Sequence, residues 1–119
     1  MAPDCIFCKI IAGTIPAVRI FENDSFLAIR DIRPQAKQHI LVFPKEHVAS
    51  LDAAFPEAGP SRADLVGNLM QAGTRIAREQ GFSAQGFRAV INHGPDAGQT
   101  VFHIHLHILG GEPLDGFGS

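Results

Sequence analysis

Residues 101–109 read Val-Phe-His-Ile-His-Leu-His-Ile-Leu, and this alternation narrows the possible folds more than any other stretch of the chain. A β-strand repeats every two residues. A strand over 101–109 therefore sends His103, His105 and His107 to one face, and Ile104, Leu106 and Ile108 to the other. Alternate residues stand about 7 Å apart along such a strand. The aliphatic face needs a cover, and Leu65, Leu69, Ala72 and Ile76 supply one at helical spacing. The imidazole face is left for chemistry, and it holds three of the chain's six histidines. Such a face fits a merely polar strand, a three-histidine metal site, or nucleophilic and acid–base catalysis. Polar strand faces more often carry Thr, Lys or Glu, and neighbouring rings on a flat strand diverge too much to share one ion easily. Imidazole titrates near neutral pH, so one ring can attack while its neighbours hold or move protons. The catalytic reading is favoured.

The remaining elements follow from punctuation. Asp4 is placed to cap a short helix over 5–11, which Gly13 stops. Strands are expected over 18–22 and 26–30, with Asn23-Asp24 as turn chemistry between them, and over 39–43, which Pro44 ends. Pro56, Gly59 and Pro60 mark a loop. Ser61 then caps the main helix, 61–80, with Gly81 at its exit. Strands over 87–92 and 101–109 close the chain. The expected fold class is α+β: a five-stranded, mostly antiparallel sheet with one main helix and a short N-terminal helix.

A length of 119 residues suits one domain over 1–119, able to bury roughly two-thirds of its unfolded surface. Ten Lys and Arg against twelve Asp and Glu leave a net charge of −2. That balance argues against a nucleic-acid partner and against a polybasic membrane anchor. No apolar run approaches the roughly 18 residues that a membrane span needs. The N-terminus lacks the cationic start and apolar run of a signal peptide, so a cytoplasmic location is expected.

The loop before the histidine run, His93-Gly-Pro-Asp-Ala-Gly-Gln-Thr100, carries glycines that permit a backbone nest of N–H groups around an anion. Thr100 adds a hydroxyl. A plain connecting loop is the simpler alternative. Its place beside three imidazoles favours an anion cradle next to a nucleophile, an arrangement suited to phosphorus chemistry.

The run His103-Ile-His-Leu-His-Ile-Leu matches the signature of the histidine-triad family. Cys5-Ile-Phe-Cys-Lys-Ile-Ile, Ile15-Pro-Ala, Asp31-Ile-Arg-Pro-Gln-Ala, His39-Ile-Leu-Val-Phe-Pro-Lys, Gly98-Gln-Thr-Val-Phe-His and Gly110-Gly111 resemble its Hint branch, in order, over nearly the whole chain. The resemblance implies a purine nucleotide substrate and a nucleotidyl–imidazole intermediate on His105, which water then hydrolyses. His103, His107 and His39 would complete the catalytic set. His107 and the phosphate-side residues Asn92, Gly98, Gln99 and Thr100 would contact phosphate. Asp31 would hold the ribose, and Ile6, Phe7, Ile10, Ile32 and Leu41 would line the base and ribose pocket. It also implies a homodimer, touching through 87–92, the main helix and the tail, and a preference for nucleoside phosphoramidates. Cleavage of dinucleoside polyphosphates, or nucleotide binding with little turnover, are the rival functions. The chain departs from the branch in carrying Thr100 where serine is common, in Arg30 and His93, and in a tail without Trp.

Cys5 and Cys8 share a helix face at i and i+3. Zinc favours two thiolates plus two imidazoles. By resemblance to relatives with the same pair, His47 and His103 would complete a structural zinc site. Two reduced cysteines without metal, or a redox pair, are the alternatives.

Overall fold

The computed structural model describes residues 4–116. The first helix, α1, spans Ile6–Ala12. A hairpin of β1 (Arg19–Glu22) and β2 (Phe26–Arg30) follows, then β3 (Gln38–Pro44). A single helical turn, α2 (Leu51–Ala54), precedes the main helix α3 (Ala63–Glu79). The chain ends in β4 (Phe87–Val90), a 3-10 turn (Pro95–Ala97) and β5 (Leu106–Gly110). The strands lie in the order β1-β2-β3-β5-β4, every neighbouring pair antiparallel. The fold is therefore α+β as expected, and the sheet is antiparallel throughout rather than mostly so. Among the described residues no helix is long and apolar enough to cross a membrane.

Local chemistry explains the elements. Asn23 Oδ1 accepts from the backbone N–H groups of Ser25 and Phe26 at 2.9 and 2.7 Å, which closes the β1–β2 turn. Gly13 ends α1 at φ 83°, a left-handed conformation that glycine enters without steric cost. The cap of α1 is Cys5 rather than Asp4. Cys5 has extended backbone angles, and its Sγ accepts from the Cys8 N–H at 3.3 Å. Ser61 stands one residue further from its helix than expected, yet its Oγ still accepts from the Ala63 N–H at 3.1 Å.

The largest departure is at the histidine run. Ladder pairing begins at Leu106, not at 101. Strand β3 pairs with β5 only through Val42↔Leu106, and β4 ends opposite His107, so residues 101–105 run past both neighbours. The Ile104 N–H instead reaches the Val48 carbonyl at 2.7 Å. The alternation survives without the ladder. Ile104, Leu106 and Ile108 are buried in one cluster with Leu69, Ala72 and Ile76 of α3. The second cluster covers the opposite face of the sheet and joins Phe7, Cys8 and Ile10 of α1 to Leu27, Ile29, Leu41 and Phe43. Its thin layer, α1, is what leaves the imidazole face reachable.

The main helix packs tightly on the sheet at Gly73. A Cβ there would stand 2.6 Å from Leu106 Cδ2 and 2.9 Å from Ile108 Cδ1, both in side chains exposed by 1% or less. Gly73→Val should therefore overpack the core and cost about 1–3 kcal/mol, measured as a lower urea midpoint at unchanged slope.

Candidate active site

Strands β3 and β5 position the site. Leu41 is opposite His107 and His39 is opposite Leu109, so His39, Leu41 and His107 project on the α1 side of the sheet. Phe7 of α1 stacks on Phe43 at 4.3 Å between centroids, and its ring meets that of His105 edge-on at 5.0 Å. The rings of His105 and His107 are 5.1 Å apart, and those of His39 and His107 are 5.2 Å apart. Three histidines, the outermost 68 positions apart in sequence, thus line one side of the sheet.

Hydrogen-bond partners assign the protons. A carbonyl only accepts, so the 2.8 Å contact from His105 Nδ1 to the His103 carbonyl places a proton on Nδ1. The lone pair of His105 is then on Nε2. At His39 the reverse holds: the Gln35 N–H donates to Nδ1 at 3.0 Å, so the neutral ring carries its proton on Nε2. That Nε2 lies 2.9 Å from His107 Nδ1 and 3.3 Å from Asp31 Oδ2. Asp31 Oδ1 is itself held by the Arg33 N–H at 2.8 Å. His39 therefore donates to His107, which must carry its own proton on Nε2. The face presents a bare nitrogen on His105 and an N–H donor on His107.

Burial keeps these rings neutral. It pushes His107 down to about 4, with the nearby His105 and His39 rings adding to the effect. It also lowers His105 and His39 below the ordinary imidazole value, against the opposing pull of Asp31.

His103 faces elsewhere. It is fully buried, and its Nε2–H donates to the Pro44 carbonyl at 2.7 Å, which turns its Nδ1 lone pair toward Cys5 Sγ at 3.2 Å. Cys8 Sγ is 3.7 Å and His47 Nδ1 3.1 Å from the same nitrogen, and Cys8 Sγ is 3.5 Å from His47 Nδ1. A tetrahedral zinc ion sets such ligand atoms roughly 3.3–3.8 Å apart. The separations here, 3.1–3.7 Å, lie close to that range, and all four donor atoms are within 4.8 Å of one another; the bond to Pro44 is of the kind that orients a metal-binding imidazole. Without an ion, burial is the main cause that raises the Cys5 thiol. Asp31, His39 and His107 also converge. Both nitrogens of His39 are committed, however, one accepting from an amide and one holding a proton, so that trio reads as a hydrogen-bonded chain and not a metal site.

The expected pocket residues divide. Phe7, Ile10 and Leu41 are buried, whereas Ile6 is exposed and Ile32 is 91% exposed. Gln99 is buried, with Oε1 accepting from the Gly94 N–H and Nε2 donating to the Ala49 and Val101 carbonyls. Its side chain braces the loop instead of facing a ligand. The N–H groups of Ala97, Gly98 and Gln99 bond to loop carbonyls, so the expected nest does not form at those three groups. Gly98 and Thr100 are exposed and Asn92 is half-buried. Sequence reasoning missed Gln35 and the carbonyls of Pro44 and His103, because their contribution is made by backbone atoms.

The HIT domain family profile matches residues 12–114. The chain belongs to the HIT family. A HIT-like protein of Synechocystis is 48% identical over 114 residues, 96% of each chain. The adenylylsulfatase HINT1 of Arabidopsis thaliana is 42% identical, over 92% of this chain and 73% of its own. A histidine triad protein from Clostridium difficile superimposes with a TM-score of 0.90 at 42% identity, over 99% of both chains. A HIT family hydrolase from Legionella pneumophila gives 0.85 at 41% identity, over 94% of this chain and 96% of that one. A zinc-bound histidine triad protein from Mycobacterium smegmatis gives 0.74 at 41% identity, over 90% and 74%. This HIT protein is a hydrolase of the histidine-triad type acting on nucleotides.

The half-buried ring of His107 makes stability depend on pH. It binds its proton at about 4 in the folded state, against about 6.5 when unfolded. Between those values the unfolded chain holds more protons, so the ring's contribution is complete above about pH 6.5 and is lost as pH falls toward 4. The melting temperature should fall between pH 7 and 4.5, and the same titration of His107→Asn should show a shallower slope.

Proposed function

We propose that this HIT hydrolase cleaves purine nucleoside phosphoramidates through a covalent intermediate on His105. The bond between His105 Nδ1–H and the His103 carbonyl carries the reading, because it leaves Nε2 as a fixed nucleophile. Nε2 attacks the α-phosphorus while the bond to the leaving nitrogen breaks. That nitrogen departs with the bonding pair and takes a proton from solvent. The His107 Nε2–H and the Thr100 hydroxyl are the donors for charge that develops on the phosphoryl oxygens. Water then cleaves the P–N bond to His105, giving the nucleoside monophosphate and the free ring. Asp31 holds the ribose, and Phe7, Ile10 and Leu41 pack on the nucleoside. The name of the Arabidopsis relative favours a second leaving group, sulfate, on the same adenylyl centre.

His105→Asn should lower kcat by a thousandfold or more and leave the dissociation constant for a nucleoside monophosphate within a few-fold. Near-normal turnover in this variant would reject the mechanism. Assays of an adenosine phosphoramidate, adenylyl sulfate and a dinucleoside polyphosphate side by side should give the highest kcat/KM for the phosphoramidate.

We also infer that Cys5, Cys8, His47 and His103 hold a structural zinc ion. Bound there, it would be a closed four-ligand crosslink between α1, the segment after β3 and the histidine run, with no open position to activate water. Elemental analysis should find zinc bound, and a chelator should lower the melting temperature more than it lowers activity at room temperature. The open outer edge of β4 among the described residues supports a homodimer. Light scattering should report about twice the chain mass of 12.8 kDa. Of the tail expected at that contact, residues 117–119 lie outside the described residues.

A further inference from the structure

Residues 31–37 connect β2 to β3, and their contacts set the state of His39. Asp31 Oδ2 stands 3.3 Å from His39 Nε2, and the Arg33 N–H holds the other carboxylate oxygen at 2.8 Å. The Gln35 N–H donates to His39 Nδ1 at 3.0 Å and so fixes the tautomer in which His39 donates to His107. Of these residues only Ala36 is buried, so packing alone holds the connection weakly.

Its hydrogen bonds are nearly all internal. The Asp31 N–H donates to the His39 carbonyl at 3.0 Å, and Gln35 Nε2 donates to the Arg33 carbonyl at 3.1 Å. Among the described residues, the single hydrogen bond from 31–37 to another part of the chain runs from the Lys37 N–H to Glu112 Oε2, at 2.8 Å. A carboxylate that accepts from a backbone N–H makes a charge-assisted bond, about twice as strong as a neutral one. Gly111 brings Glu112 there. It turns the chain at φ 81°, and a Cβ on it would stand 2.9 Å from Gln38 Cγ and 3.3 Å from Lys37 Cβ. Arg88 borders the same concavity as Gln35 and Glu112, but its Nη1 donates to the Asp115 carbonyl at 3.0 Å. Among the described residues no cationic side chain pairs with Glu112.

We propose that Glu112 is a positioning residue for the histidine centre: its carboxylate pins the 31–37 connection, which keeps the Gln35 N–H on His39 and His39 donating to His107. The carboxylate acts through the backbone and needs no contact with substrate. Its effect on turnover rests on the phosphoramidase reading, whereas its effect on His39 does not.

The test compares Glu112→Ala, Glu112→Gln and the core variant Ile76→Val with the wild type. Glutamine keeps an oxygen acceptor and removes the charge. In Glu112→Ala the Gln35 amide should exchange with water about tenfold faster, as seen by NMR. The His39 Nδ1 resonance should move downfield, toward that of a ring nitrogen without a hydrogen bond. Turnover of an adenosine phosphoramidate should fall about tenfold in kcat, because displaced groups lose their alignment. Glu112→Gln should bring all three back close to the wild-type values. Ile76→Val, which loosens the core away from this connection, should leave the amide and the nitrogen unmoved. An unmoved amide and nitrogen in Glu112→Ala, equal movement in Ile76→Val, or a glutamine variant as impaired as the alanine one overturns the proposal. An unchanged kcat in Glu112→Ala, with an active wild type, overturns it too. The two NMR readouts need no substrate, so a wild type that does not turn over the phosphoramidate rejects the proposed function alone and leaves those readouts to decide the role of Glu112.

Discussion

The hydrogen bond between His105 Nδ1–H and the carbonyl of His103 decides what the rest of the site can do. It sets the tautomer of the central ring and aims its free nitrogen outward. The carbonyl belongs to a residue whose own side chain is fully buried and points into the cysteine–histidine cluster. The same residue therefore contributes its ring to the cysteine–histidine cluster and its backbone to the orientation of His105. Around that bond, burial keeps the neighbouring rings neutral and the sheet keeps them aligned. Unprotonated imidazole at neutral pH follows from burial, which outweighs the opposing pull of the His103 carbonyl and of Asp31 on His105.

The alternation of histidine and aliphatic residues made both faces of this segment legible from sequence. Ile104, Leu106 and Ile108 meet α3, and the three imidazoles point away from it. The extent of the strand was not legible. Whether residues 101–105 pair depends on where β3 and β4 stop, and the two strands end at Pro44 and at Val90. The donors Cys5, Cys8, His47 and His103 were each visible as residue types at suggestive places, and the fold brings them within ligand distance. The roles of Gln35, Pro44 and His103 as backbone donors and acceptors leave no trace in residue identity. The same limit explains Gln99. Its place in a Gly-Gln-Thr run suggests a ligand contact, yet only the folded loop shows that its amide is consumed by Gly94, Ala49 and Val101.

The two layers of the molecule do different work. The face covered by α3 is densely packed, and at Gly73 it leaves no room for a side chain. The face covered by α1 is one short helix thick, and it places Phe7 against the His105 ring. A small domain can thereby keep a rigid platform behind its reacting groups and a thin, adaptable edge in front of them.

The donor that orients His39 is the amide of Gln35, a group without a charge state in the range where proteins fold. The chain of donors from Gln35 through His39 to His107 consequently has a built-in direction, like a valve seated in the backbone. Changing nearby charges alters how tightly each ring holds its proton, but it does not reverse which ring gives and which receives. Reversal would require the turn at Gln35 to open, so the direction of these hydrogen bonds is a property of the chain trace and is inherited with the fold.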